Sequence, residues 1–116
     1  MKQQDNIDMG QVEYAFGRVV PGLINQYLGP LGFDITYRSP RVCETQSKHC
    51  ILTVQVDLTA IEVTLIPKPG DESDQIKIDS RPTQAPYQIG ISQEVARQLQ
   101  LAIDNYGHIL RGEVDR

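Results

Sequence analysis

Residues 52–65 read Leu52-Thr53-Val54-Gln55-Val56-Asp57-Leu58-Thr59-Ala60-Ile61-Glu62-Val63-Thr64-Leu65. Apolar residues hold positions 52, 54, 56 and 58; the parity then changes after Thr59-Ala60, and they hold 61, 63 and 65. Successive side chains leave a strand on opposite faces, so this is an antiparallel hairpin with one face on a core and one in water. Two turns compete for it. A two-residue turn at Thr59-Ala60 sets Asp57 opposite Glu62, a like-charge pair, and lacks the Gly or Asn that tight hairpin turns prefer. A wider turn over Asp57 to Ala60 pairs Val56 with Ile61 and keeps the apolar face matched, so this register is expected.

Toward the N-terminus, Phe33, Ile35 and Tyr37 alternate with Asp34, Thr36 and Arg38, which predicts a first strand with Phe33 and Tyr37 facing the core. Residues 39–49 are polar and are expected to form a loop. Cys50 shares the parity of Leu52 and Val54 and is assigned to the core. Earlier still, Val12, Phe16, Val19, Leu23 and Tyr27 recur at three- and four-residue steps, the stripe of a helix laid on a sheet. Asp8 with Gln11 makes a capping box, and Ile7 staples onto Val12. Pro21 removes a backbone donor and crowds the carbonyl of residue 17, so a bend or restart is expected there. Gly29-Pro30-Leu31-Gly32 ends the helix.

Toward the C-terminus, the reversal at Pro67-Lys68-Pro69-Gly70-Asp71 leads to a short strand over 75–79, in which Ile76 and Ile78 continue the buried face. Residues 80–90 carry Pro82, Pro86 and Gly90 and predict an extended connector, a frequent place for function. Ser92 then caps a second helix, Glu94 favours its positive end, and Val95, Leu99, Ala102, Ile103, Tyr106 and Leu110 form its stripe. The expected fold is one α+β domain over 1–116: an N-terminal helix, an antiparallel meander of three to four strands, and a C-terminal helix packed on the sheet. Residues 1–6 and 112–116 are expected to be flexible.

Composition narrows the functional classes. The chain has 116 residues, a net charge of −4, 40% hydrophobic and 22% charged residues, ordinary values for one folded domain. A broad phosphate-binding surface needs clustered Lys and Arg, so the acidic balance disfavours nucleic acid as partner. Fifteen acids diluted by eleven bases do not make a DNA mimic either. The first residues carry no apolar signal-like region, and no segment approaches the roughly 18 apolar residues of a membrane span. The expectation is a cytoplasmic protein, away from membranes, with Cys43 and Cys50 as reduced thiols.

The chemistry-bearing residues are sparse. His49 and His108 are the two imidazoles. Cys43 with His49 is the least poor nucleophile pair, but a loop thiol lacking an orienting carboxylate or helix N-terminus is ordinarily inert. Cys43, His49, Cys50 and His108 do not make a zinc site: the Cys43 to Cys50 spacing is too wide, and strand neighbours His49 and Cys50 point apart. Asp71, Glu72 and Asp74 lack the glycine and the distal Glu of a calcium loop. No glycine pattern fits a phosphate loop. No cofactor is expected, and no enzymatic activity.

If sequential strands are neighbours, the 39–49 and 67–74 loops leave the same end of the sheet. One brings Arg38, Arg41 and Lys48, the other Asp71, Glu72 and Asp74, and surfaces of both signs suit oriented protein binding. Tyr87 and Ile89 lie in the connector. The ordinary reading of these residues is solvated loop charge and a connector pinned to the core. The expected function is a protein-interaction module, of adaptor, inhibitor or immunity type, with Arg38, Arg41, Lys48, Asp71, Glu72, Asp74 and Tyr87 as contact residues. Alternatives are a structural subunit of a homo- or hetero-oligomeric assembly, pairing through the short strand 75–79 as an exposed sheet edge, and a small-ligand-binding protein or enzyme without a recognisable motif.

Overall fold

In a computed structural model, Val56 pairs with Ile61, Val54 with Val63 and Leu52 with Leu65, the register expected of the wider turn. Glu62 faces Gln55 instead, and the Gln55 amide donates to its carboxylate at 3.4 Å. The structure describes residues 9–56, 60–79 and 88–113. Helix α1 (Met9–Leu28) precedes strands β1 (Asp34–Arg38), β2 (Val42–Gln46), β3 (Cys50–Val56), β4 (Ile61–Pro67) and β5 (Ile76–Lys77), and helix α2 (Gln88–Leu110) follows. The five strands form an antiparallel meander in chain order. Both helices lie on one face: α1 packs against β1 and β2, α2 against β3 and β4, and the helices touch each other. The result is a two-layer α+β domain around one core.

Strand β2 occupies part of the expected 39–49 loop, which is a correction. Its inward residues are Cys43 and Thr45, both buried, with only one of them apolar. Thr45 is tolerated inside because its hydroxyl donates to the Asp34 carbonyl at 2.9 Å. The strand therefore carries almost no hydropathy signal. Cys43 is accordingly a buried strand residue, not a loop thiol, and Cys50 is core as expected.

Helix α1 runs through Pro21 without ending or restarting. The residue whose carbonyl the proline ring crowds is Gly17, which is exposed, so that carbonyl can tilt toward water. The buried line is Val12, Phe16, Val20, Ile24 and Leu28, an unbroken i, i+4 series. Val19, Leu23 and Tyr27, expected at its centre, flank it as partly buried residues. The α1 capping residues Ile7 and Asp8 lie outside the described residues. A 3₁₀ turn over Gly29–Leu31 and a left-handed Gly32 end the element where expected.

Helix α2 begins earlier than Ser92. Ile91 is fully buried in line with Val95, Leu99 and Ala102, and this extra turn of apolar burial outweighs the cap chemistry of Ser92. Residues 88–90 of the expected connector are helical; Tyr87 and the rest of the connector lie outside the described residues. At the far end, Gly112 adopts φ +74°. Its N–H bonds the Ile109 carbonyl and that of Glu113 bonds His108, closing the helix with a Schellman motif; residues 114–116 lie outside the described residues. No helix among the described residues is long and apolar enough to cross a membrane.

Candidate functional site

The register of β1 against β2 slips by one residue between Ile35 and Tyr37. Ile35 pairs with the inward Thr45, but Tyr37 pairs with Glu44, whose neighbours Cys43 and Thr45 point to the core. Thr36 is the extra residue of this bulge, and its hydroxyl donates to the Glu44 carbonyl at 3.3 Å. Tyr37 is thus turned away from the core, against expectation, and is 54% exposed on the face that the helices leave open.

Cross-strand pairing then lays out that face row by row. One row crosses all five strands as Tyr37, Glu44, Thr53, Thr64 and Lys77. To one side lie Val42, Gln55 and Glu62; to the other, Asp34, Gln46, Ile51 and Ile66. Lys77 pairs with Glu62 at 3.6 Å. The side chains of Asp34, Tyr37 and Glu44 have no hydrogen-bond or ionic partner among the described residues. The face carries three carboxylates, Asp34, Glu44 and Glu62, to one ammonium, Lys77.

The charged loops do not gather as one surface. The chain link 39–41 sits beside the end of β3, where the Arg41 carbonyl accepts from Val56 N–H. The 47–49 turn lies at the opposite end with the β4–β5 loop, held by Lys68 N–H to the His49 carbonyl and Lys68 Nζ to the Ser47 carbonyl at 2.8 Å. A seven-residue strand separates the two ends by about 20 Å. Lys48 therefore shares an end with Asp71, Glu72 and Asp74, whereas Arg38 and Arg41 do not, because β2 inserts an additional reversal. Arg41 also has a local role, an ion pair with Glu13 of α1 at 2.7 Å. Asp71 caps the Glu72–Asp74 3₁₀ turn, and the bonds it accepts from Ser73 hold its carboxyl below the usual range.

The thiols and imidazoles lie apart. Cys43 is opposite Val54, while Cys50 lies four residues further along β3, a separation of about 13 Å. Burial raises both thiols above their usual pKa, offset in part by Arg38 near Cys43 and by the Ser47 hydroxyl and Lys68 near Cys50. Both stay protonated and poorly nucleophilic near neutrality. The His49 ring packs on the backbone of Gly112, joining the 47–49 turn to the end of α2. His108 is exposed in the last turn of α2.

One polar cluster was not anticipated. Gln98 is 1% exposed, and its amide donates to the Ile61 carbonyl at 3.1 Å and to Glu94 Oε2 at 2.9 Å. Arg97 bonds Glu94 through Nε at 3.0 Å and also reaches Asp79. These two carboxylates, Glu94 first, hold the guanidinium pKa above its already high value. The cluster fastens α2 to β4 and to the chain beyond β5. Spacing gave no sign of it, since Glu94, Arg97 and Gln98 look like the wet side of a helix.

Comparison with protein-family models, curated proteins and solved structures returns no match for this chain.

Proposed function

We propose that this chain is a non-enzymatic protein-interaction module that binds its partner on the open face of the sheet. The observation that carries this is the layering: both helices occupy one face, and across the other run a half-exposed tyrosine, scattered Val, Ile and Thr side chains, and unpartnered carboxylates. Exposed aromatics beside moderate apolar area are what protein interfaces use. Carboxylates on the same face repel phosphate backbones, which favours protein over nucleic acid even though Tyr37 now lies on an open sheet surface.

The test is affinity capture from nuclease-treated lysate with three baits: the natural chain, Thr53→Arg at the centre of the open face, and Gln100→Arg on the exposed side of α2. A stoichiometric protein retained by the first and third and lost with Thr53→Arg supports the module. Retention by all three overturns the placement. A second reading has its own observation: β1 is an edge strand with four of its five residues exposed, open to pairing with a neighbour in an assembly. Light scattering that finds a homo-oligomer, abolished by Thr36→Pro, favours that assembly instead.

A further inference from the structure

Resting on that placement, we infer that the β1–β2 half of the open face is an arginine-recognition site, taking an arginine side chain from a basic segment of the partner. Tyr37 and Glu44 are directly opposite in the register. Opposed residues bring their Cβ atoms to about 5 Å, so one flat guanidinium can lie over the Tyr37 ring and turn its N–H fork to the Glu44 carboxylate. Asp34 stands on the same face of the same ladder, opposite Gln46, and adds a second negative charge within reach of a neighbouring cation.

Three observations favour arginine as the occupant. Neither carboxylate is neutralised within the described residues, whereas Glu62 on the same face already holds Lys77. The Tyr37 ring, half exposed on the face, carries no cation among the described residues, in contrast to the other exposed tyrosine, Tyr14, which already carries the Arg18 guanidinium at 5.6 Å from its centroid. The surroundings, Val42 and Gln46 with Thr53 beyond, are half-buried and weakly polar. An ammonium satisfies the charge alone. A guanidinium satisfies the charge, the fork and the ring together.

The test uses the ¹⁵N-labelled full chain, titrated with a blocked hexapeptide of alternating arginine and serine and with its lysine counterpart. The expected result is amide shifts centred on 34–46, arginine binding about fivefold tighter than lysine, a loss of about tenfold with Glu44→Gln, and a loss of about fivefold with Tyr37→Leu. Both substituted side chains lie on the open face, and each variant's spectrum reports its fold directly. Equal binding of the two peptides, shifts centred on 71–74, or an unaffected Glu44→Gln overturns the inference. A captured partner that depends on Thr53 but shows no arginine preference overturns this site and leaves the interaction module standing.

Discussion

Replacing Gln98 by leucine isolates the contact that joins the second helix to the sheet. In β4, the Val63 carbonyl accepts from Ile78 N–H, and the Ile61 carbonyl, two residues earlier, points the same way. Strand β5 ends at Lys77, so no described strand donor reaches Ile61; Gln98 supplies it from α2 at 3.1 Å. Leucine fills similar volume but strips the carbonyl of its donor, a cost of about 1–3 kcal/mol for a buried group. It also removes the 2.9 Å bond to Glu94, a charge-assisted contact of about 1.5–3 kcal/mol, partly retained because Arg97 still neutralises that carboxylate. Added apolar burial returns about 1 kcal/mol. The net expected loss is about 2–3 kcal/mol, or roughly 10 °C in Tm for a domain of this size. The assay is urea and thermal unfolding followed by circular dichroism, with Gln100→Leu on the exposed side of α2 as the control, expected within about 0.5 kcal/mol of the natural chain. If Gln98→Leu also falls within that margin, the Ile61 carbonyl does not depend on Gln98 and the account of how α2 is fastened is wrong.

Gly112→Ala forces a Cβ into the left-handed region and onto the His49 ring, which is expected to cost about 1 kcal/mol for the backbone plus the displacement of the ring. Chemical denaturation of the single and double variants with His49→Ala should show less than additive losses. Pro21→Ala restores a helical N–H toward residue 17 and is expected to stabilise α1 by about 1 kcal/mol or more after the unfolded chain's gain in freedom is subtracted, read as a raised urea midpoint. Cys43 and Cys50 should resist a thiol reagent at pH 8 until denaturant is added. Because burial raises their folded pKa above the usual 9.0, the unfolded chain releases those protons first; stability is intact below that pH and falls as pH rises beyond it, measurable as a declining urea midpoint between pH 8.5 and 10.5.

The hairpin register was legible because two independent constraints agreed: apolar parity and the repulsion between Asp57 and Glu62 choose the same turn. The C-terminal end of α1 was legible for a similar reason, Gly29-Pro30-Leu31-Gly32 having no other use. The α1 face was not. Val19-Leu23-Tyr27 and Val20-Ile24-Leu28 are two apolar lines about 100° apart, and only the sheet beneath decides that the second is buried. Helix α2 was read one turn short because Ser92 is a good cap in isolation, while Ile91, which must be buried, precedes it. Strand β2 was invisible because one of its two inward positions is a threonine whose hydroxyl is satisfied by the neighbouring strand, a partner absent from any local window.

Thr36 is where these local failures become a statement about function. With no bulge, period-two alternation would put Tyr37 on the helix side with Ile35, and the open face at β1 would show Thr36 in its place. The extra residue reverses every side chain after it. Tyr37 comes out to meet Glu44, and the exposed Arg38 falls in register with Cys43, where its charge offsets part of the rise that burial gives that thiol's pKa. The same slip therefore moves an aromatic ring onto the open face and sets it directly opposite Glu44. A bulge at an edge also weakens that edge as a template for strand pairing. Binding through the face is thereby favoured over assembly through the edge, and both consequences trace to the single residue that alternation could not accommodate.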